Sequence, residues 1–320
     1  MTITVMSYNI ENMKQLFDKD CNEKKGGNRV PAITDTILEK SPHILGIVEA
    51  SDKLEDHECL VNTTGLAPLN FQIAKSSHKR NRQDLVIYYR EPFELVSIDE
   101  DIDFYEDWTE DIDEDSIVEL LKFERKPLEV VLRDRENGHL LRIILVSFKS
   151  KAVFSVSDIH RYEHLALANR KKLYAQSKKV RERLDGLFDE NPNRAVVVMG
   201  DLNDEIGLDH FQKQIGTSAV ETITGDIHEP SKIIHNTLWH LRKTQKTAQD
   251  LWTMEYEDPI VANNKKHKAW LDYIFISPGM LLDKAPIRYV MNSGCVCEKT
   301  EAARKASDHF PVCCELEINN

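Results

Sequence analysis

The chain has 320 residues, of which 41% are hydrophobic and 30% are charged. This composition is that of a soluble globular protein, and no run approaches the eighteen or so apolar residues that a transmembrane helix requires. The first residues lack the basic and apolar regions of a signal peptide. We therefore expect a cytoplasmic protein that does not act at a membrane.

The six cysteines do not form a recognisable zinc motif. A C-x-C and a vicinal pair are present, but no C-x2-C pairs occur. The cysteines are Cys21, Cys59, Cys295, Cys297, Cys313 and Cys314. We expect reduced thiols, because disulfides are rare in the cytoplasm.

The net charge of -12 comes from one segment. No Lys or Arg occurs between Arg90 and Lys122, and residues 99–119 within this interval hold twelve Asp and Glu residues. Without them the 42 remaining acids balance the 42 Lys and Arg residues, so net charge does not exclude a nucleic-acid substrate. We predict a solvated surface insertion at about residues 99–119. A lid over a basic site, or a mimic of a phosphate backbone, is the alternative.

Short β-type runs alternate with helical ones along the chain. Alternating or continuous apolar residues predict strands at 3–7, 44–48, 85–89, 128–133, 140–147, 195–199, 271–277 and 312–318. Helical spacing predicts helices at 30–40 and 161–188, and the second has basic residues on its other faces, which we expect to be solvated. No repeat or linker interrupts the pattern, which favours a single α/β domain over residues 1–320.

Acidic and amide side chains lie beside five of these strands, where they are expected to converge at one rim of the core. Carboxylate and amide oxygens without a Cys/His set suit Mg²⁺ or Mn²⁺, and such sites handle phosphoesters. The residues are Asn9, Glu49, Asp201, Asn203, Asp272, Asp308 and His309.

Seven segments in order along the chain resemble the endonuclease/exonuclease/phosphatase superfamily, which includes exonuclease III, deoxyribonuclease I, sphingomyelinases and inositol polyphosphate 5-phosphatases. GDLND and SDHFPV are the most specific. The segments are SYNIEN, ILGIVEA, RKPLEVV, VSFKSK, MGDLND, WLDYIF and SDHFPV. The resemblance implies a four-layer sandwich, in which two packed β-sheets are flanked by helices and the site lies between the sheet edges.

The resemblance also implies roles for the candidate residues. The catalytic cation would be held by Glu49, with Asn9 and Asp308 nearby. Asp201 would orient or deprotonate the attacking water, and Asn203 would position the phosphate or a second ion. The imidazole of His309, oriented by Asp272, would stabilise charge in the five-coordinate transition state.

One position departs from the pattern of deoxyribonuclease I and the sphingomyelinases. Those members have a second histidine where VSFKSK has Ser147, and a serine hydroxyl cannot give up a proton near neutral pH. A metal-bound water, or Tyr162, His160 or His164, would then protonate the leaving group. Ser147 and Lys149 remain as candidate substrate-binding residues, Lys149 as a contact of the phosphate, and the missing histidine favours the exonuclease III type.

Three alternatives stay open at this point. His160, Glu163 and His164 match the H-x-x-E-H motif of zinc peptidases, although a location on the surface of a helix is the preferred interpretation. A phosphate-binding scaffold without turnover is a second alternative, and only Ser147 favours it. Within the family, a nuclease is our first expectation and a phosphatase or phosphodiesterase of a small metabolite or phospholipid headgroup our second. The spacing of Trp270 and Asp272 resembles that of the inositol phosphatases. We expect a monomer.

Overall fold

A computed structural model describes residues 1–24, 27–76, 83–99, 101–112, 116–153, 158–244, 251–258 and 265–319. Its strands, in chain order, are β1 (Thr2–Asn9), β2 (Ile44–Ser51), β3 (Gln72–Lys75), β4 (Gln83–Tyr89), β5 (Phe93–Ile98), β6 (Trp108–Glu110), β7 (Glu119–Leu121), β8 (Leu128–Asp134), β9 (Leu140–Ser147), β10 (Val196–Asp201), β11 (His235–Asn236), β12 (Met254–Asp258), β13 (Lys265–Ala269), β14 (Asp272–Ile276), β15 (Ile287–Tyr289), β16 (Cys295–Val296) and β17 (Val312–Ile318). The α-helices are α1 (Arg29–Leu38), α2 (Leu54–Thr63), α3 (Ile159–Glu190), α4 (Gln212–Ile215), α5 (Ala219–Thr224), α6 (Trp239–Thr244), α7 (Pro278–Leu281) and α8 (Glu301–Ala306). Short 3-10 helices lie at Met13–Gln15, Ala67–Leu69 and Ile102–Tyr105.

Two mixed sheets form the centre of the fold. The first has the order β15-β17-β1-β2-β4-β3, with β16 also paired to β17, and the second has the order β11-β14-β10-β9-β8-β5. The pairs β1/β2 and β10/β9 are parallel and occupy the middle of their sheets. The hairpins β6/β7 and β12/β13 lie outside both sheets.

The sheets pack face to face through buried aliphatic side chains. Val5 and Val48 of the first sheet join Leu145 and Met199 of the second in one apolar cluster. The approach is close at Gly46, where a Cβ atom would lie 2.6 Å from the Met199 Cε. This interface is the inner core of the predicted sandwich.

Helices cover the outer faces of both sheets. The apolar face of α1, with Ile33 and Ile37, packs with Met6 and Leu45 on the outside of the first sheet. On the second sheet α3 contributes buried Leu173, Val180 and Leu184 and contacts α5. The four-layer α/β sandwich implied by the resemblance is therefore confirmed. Among the described residues, no helix is long and apolar enough to cross a membrane.

The strongly periodic predictions are confirmed with small shifts at their ends. Each of the eight predicted strands and both predicted helices corresponds to an observed element, the long helix running from Ile159 to Glu190. The other elements, which have two to six residues each apart from α2, were not predicted from the pattern. They are too short, or too weakly amphipathic, to show a period.

The prediction of a solvated acidic insertion is wrong only where part of the described segment docks on α3. Asp101 pairs with Arg183, Glu110 with Lys178, and Glu119 Oε1 lies 3.2 Å from Lys171 Nζ. The apolar side of the segment is anchored too: Lys179 Nζ of α3 lies 4.3 Å from the Phe104 ring centroid and 5.8 Å from that of Trp108. The acidic segment therefore pairs with Lys171, Lys178 and Arg183 on the basic face of α3, which was expected to be solvated. Residues 100 and 113–115 of the run lie outside the described residues.

The prediction of reduced thiols is also wrong for one pair. Cys21 and Cys59 form a disulfide, with their Cα atoms 5.4 Å apart, that joins the segment after β1 to α2. The four other cysteines are free. Connectivity of this kind cannot be deduced from spacing alone.

Candidate active site

Strand ends from both sheets meet at one edge of the sandwich. Asn9 ends β1 and Asp201 ends β10, while Asp272 begins β14 directly opposite Asp201 in the antiparallel register. Asp308 and His309 come shortly before β17, which pairs with β1. Because the strands are fixed by their ladders, these side chains face one another across the boundary between the sheets.

A cavity of about 250 Å³ opens at this edge. Seven of the nine residues expected from the sequence line it, and Asn9 and Asp272 lie buried beneath it. The lining residues are Glu11, Glu49, Glu124, Arg125, Ser147, Phe148, Lys149, Ser150, Asp201, Asn203, Met254, Asp308 and His309. The structure therefore brings most of the expected residues together at one cavity, and the role of each residue stays a prediction.

His309 is held in one orientation at the floor of the cavity. Its Nδ1 lies 2.8 Å from the Asp272 Oδ2, and the Asp272 backbone N–H donates to the Thr253 hydroxyl oxygen at 3.0 Å. Burial disfavours a charged imidazole, but the charge and hydrogen bond of Asp272, with help from Asp201, raise the pKa of His309 to about 10. The ring is therefore a cation at neutral pH, with Nδ1 engaged and Nε2 on the opposite side.

Asp201 is fixed by two amides. Asn9 Nδ2 donates to its Oδ2 at 3.3 Å, and the Asn203 backbone N–H and side-chain amide donate at 2.8 and 3.0 Å. Burial raises the pKa of Asp201 to about 7, against the opposing effect of the His309 cation. A carboxylate with a pKa near neutrality is suited to accept a proton.

The backbone around Asp201 explains the GDLN sequence. Gly200 has φ 139°, and a Cβ atom there would lie 1.9 Å from the Val146 carbonyl oxygen of β9. Asn203 has φ 51°, a left-handed conformation that asparagine tolerates better than most residues. Close strand packing and a left-handed turn therefore require these two residue types and aim Asp201 into the cavity.

Glu49 reaches the cavity through an irregularity in β2. It has φ 59° and lies where the register with β4 shifts between Val48 and Ala50, which is a β-bulge. Its Oε2 accepts hydrogen bonds from the Asn12 backbone N–H at 3.0 Å and from Gln83 Nε2 at 2.8 Å. The bulge turns a side chain toward the cavity, and these donors hold it there.

The donor chemistry of the cavity fits a divalent cation. Glu49, Asp308 and Glu11 line it together, and burial, followed by the charges of Asp308 and Glu49, raises the pKa of Glu11. In the described part of the chain, no group of three or more His, Cys, Asp or Glu side chains is arranged to hold a metal ion. Mg²⁺ commonly uses one or two carboxylates together with waters and substrate phosphates, and Glu49 and Asp308 are residues of this type in the lining.

Asn9 was expected among the ligands of the cation, but its side-chain amide contacts Asp201 and His309 instead. Its Nδ2 donates to Asp201 and lies 3.4 Å from the His309 Nε2, while its Oδ1 accepts the Glu11 backbone N–H at 3.0 Å. The side chain is buried and does not line the cavity. Asn9 therefore holds Asp201 beside His309.

Arg125 contacts Ser147, the residue that lies where some members of the family have a second histidine. Its Nη1 donates to the Ser147 Oγ, its Nη2 donates to the Gln83 Oε1 at 2.5 Å, and its Nη2 lies 3.8 Å from the Glu49 Oε1. Ser147 is buried and positions this guanidinium, which lines the cavity. The RKPLEVV segment was part of the resemblance, but the contacts of Arg125 come from chain segments too distant for sequence reasoning to assemble.

The other residues considered from the sequence lie elsewhere. His160, Glu163 and His164 are exposed on α3 and do not line the cavity, so the three protein ligands of a zinc peptidase are not assembled within the described residues. Tyr162, on the same turn, packs against the Phe211 ring at a centroid distance of 6.5 Å. Trp270 is buried, stacks on Tyr273 at 5.0 Å and belongs to the core.

Two packed β-sheets with acidic, amide and imidazole groups at one edge are the fold and the kind of site that are typical of phosphoesterases. The sequence profile of the Endonuclease/Exonuclease/phosphatase family matches residues 6–309, and the chain belongs to this family. Members of the family are hydrolytic phosphoesterases. No curated protein sequence matches the chain significantly.

Solved structures similar to the protein share its fold along the whole chain. The human Nocturnin catalytic domain with a bound sulfate anion is 15% identical, with a TM-score of 0.55 over 99% of this chain and 95% of that one. TDP2 from D. rerio, complexed with a single-strand DNA product, is 12% identical, with a TM-score of 0.55 over 99% of both chains. An endonuclease/exonuclease/phosphatase from Bacteroides vulgatus is 13% identical, with a TM-score of 0.54 over 100% of both chains.

Proposed function

We propose that the protein is a Mg²⁺- or Mn²⁺-dependent hydrolase that cleaves phosphodiester bonds of nucleic acid with an activated water. One observation carries this proposal: the buried chain of contacts from Asp272 through His309 and Asn9 to Asp201, which opens on a cavity lined by carboxylates. A protein that only bound phosphate could use the cationic imidazole, but it would gain nothing from the Asp201 carboxylate in the same cavity, because a carboxylate repels an anion. Family membership supports the hydrolytic class.

The water that attacks phosphorus loses its proton to Asp201. Its carboxylate is fixed by Asn9 and Asn203, so little reorganisation accompanies the transfer, and general-base help of this kind contributes about 10²- to 10⁴-fold. The Asn203 side chain lines the cavity and steadies the phosphate or the water. A cation bound by Glu49 and Asp308 would neutralise charge on the phosphate oxygens.

His309 stabilises the charge that develops on the phosphoryl oxygens. With Nδ1 held by Asp272, the protonated ring directs the Nε2–H away from that carboxylate. The neighbouring Asn9 Nδ2 is itself a donor, so the Nε2–H remains available to the substrate. A fixed donor of this kind acts in the transition state without reorganisation.

Arg125 stabilises the leaving oxygen in place of the missing histidine. Its guanidinium is held by Ser147 and Gln83 on the side of the cavity formed by the second sheet and the Glu49 bulge. Arginine remains charged throughout, so it compensates the negative charge on the leaving oxygen without donating its proton, and that oxygen then takes a proton from solvent water. Lys149 also lines the cavity and adds positive charge near the phosphate.

Nucleic acid is the preferred substrate class, with a small phosphoester as the alternative. The similar TDP2 structure holds a single-strand DNA product, and the Nocturnin domain holds a sulfate anion. A panel of single-stranded DNA, duplex DNA, RNA, inositol phosphates and sphingomyelin, each with Mg²⁺, Mn²⁺ or EDTA, tests the proposal. Cation-dependent cleavage of a nucleic acid is expected, whereas turnover of a small phosphoester alone would select the alternative.

A further inference from the structure

A cluster of cations lies on one tryptophan outside the cavity. Lys299 Nζ lies 4.3 Å and Lys268 Nζ 4.6 Å from the Trp252 ring centroid, and the Arg304 Cζ lies 5.5 Å from it. The Phe310 ring, perpendicular to that of Trp252, completes the support at 5.9 Å from Lys299 Nζ. We define Lys268, Lys299 and Arg304 as the cation cluster. Ring faces attract cations and hold all three in place.

The cluster carries positive charge that its surroundings do not balance. Glu255 pairs with Arg304 at 3.0 Å and is shared with Lys266 at 3.4 Å. Within the residues that the structure describes, Lys268 and Lys299 have no ion pair with an acid. Burial, and then the charges of Lys268 and Arg304, lower the pKa of Lys299 to about 8. Lys299 is therefore still mainly protonated at neutral pH, and an anion would relieve the repulsion among the three groups.

The cluster is built into the same chain segments as the active site. Met254 lines the cavity and forms a β-bridge with His309, and the Phe310 backbone N–H donates to the Thr253 carbonyl at 2.6 Å. Trp252 lies two residues from Met254, and Phe310 follows His309 directly. Two residues of extended chain span about 7 Å. The cluster therefore lies next to the rim of the cavity.

We propose that Lys268, Lys299 and Arg304 form a second phosphate subsite, which binds the backbone of a nucleic acid next to the bond that is cleaved. This inference rests on the proposed function, because the charge beside a reacting phosphodiester in nucleic acid is another phosphate. A small phosphomonoester has no group that reaches the cluster. Trp252 is buried beneath the cations and supports them, so it does not stack on a base.

The test compares the double variant K268Q/K299Q with wild type and with K305Q. Lys305 is an exposed lysine on α8 that pairs with Glu301 at 2.8 Å and lies outside the cluster, so K305Q removes one charge from the same region. The ratio of kcat/KM for single-stranded DNA to kcat/KM for bis(p-nitrophenyl) phosphate is measured for each protein. We expect the double variant to lower this ratio about tenfold, and K305Q to leave it unchanged.

Binding of fluorescently labelled single-stranded DNA in EDTA separates the subsite from the chemistry. Two lost phosphate contacts should reduce the slope of log affinity against log salt by about 1.4. If wild type cleaves no nucleic acid, the proposed function is refuted, but the slope still tests the subsite because it measures binding alone. Equal slopes and equal kcat/KM ratios in wild type and K268Q/K299Q would overturn the subsite. The subsite would also be overturned if K268Q/K299Q lost binding to phosphatidylserine vesicles while its binding to DNA stayed intact. The exposed single variant K268Q, with an expected slope change of about 0.7, provides the test if the double variant does not fold.

Discussion

Arg125→Met separates the role of the guanidinium from that of its aliphatic stem. The substitution removes the donor to Ser147 and Gln83 and the positive charge 3.8 Å from Glu49. Losing one group that stabilises developing charge typically lowers kcat by about 10²- to 10³-fold, or about 2.7–4 kcal/mol. Because the Arg125 side chain is 21% exposed, water can solvate the partners left behind. Leaving a buried polar group without its partner typically lowers the free energy of unfolding by about 1–3 kcal/mol. We therefore expect Arg125→Met to lower it by an amount near the lower end of this range.

The leaving group decides how large the catalytic loss is. Cleavage of DNA produces an alkoxide, which needs stabilisation, whereas p-nitrophenolate is stable without it. We expect Arg125→Met to lower kcat about a hundredfold on single-stranded DNA and less than tenfold on bis(p-nitrophenyl) phosphate. Arg133→Met is the matched control, because Arg133 lies on β8 and pairs with Glu94 at the surface. Equal losses on both substrates, or no loss on DNA, would refute the assignment of Arg125 to the leaving group.

Three further predictions concern the cation, the base and the disulfide. Glu49→Gln should raise the Mg²⁺ concentration needed for half-maximal rate. A variant that reaches half-maximal rate at the same Mg²⁺ concentration as wild type would contradict the role of Glu49 as a ligand. Asp201→Asn should lower kcat at least about a hundredfold with an unchanged melting curve, so a near-normal rate would remove it as the base. Replacing Cys21 and Cys59 by alanine should lower the free energy of unfolding by about 4 kcal/mol, since the disulfide closes a 38-residue separation. Urea denaturation measures this change, and an unaffected midpoint would show that the disulfide does not stabilise the fold.

The sequence predicted that the candidate residues meet at one rim, because the ladder of a sheet fixes the position of each strand end and of the side chain on it. Alternating or apolar runs identified the strands, and Asp201 and His309 lie in motifs whose spacing is local. Asp272 lies opposite Asp201, because its strand pairs antiparallel with the one that ends at Asp201. Local patterns therefore sufficed wherever the ladder of a sheet determines the position.

Contacts between distant segments could not be predicted in the same way. Arg125 and Gln83 are 42 residues apart, and only the folded arrangement of β4 beside the Glu49 bulge joins them. The docking of the acidic segment had a signal in the sequence, namely twelve acids and a basic helix face. Charge complementarity alone, however, does not specify which residues pair, because exposed ion pairs contribute little energy individually.

Cleavage of single-stranded DNA in H₂¹⁸O, followed by mass spectrometry, tests the central claim most directly. Hydrolysis by an activated water predicts one ¹⁸O atom in the new terminal phosphate, formed with Mg²⁺ or Mn²⁺ and absent with EDTA. Asp201→Asn should form the same product at least about a hundredfold more slowly. Cleavage without ¹⁸O in the phosphate, or full cleavage in EDTA, would contradict the proposed mechanism.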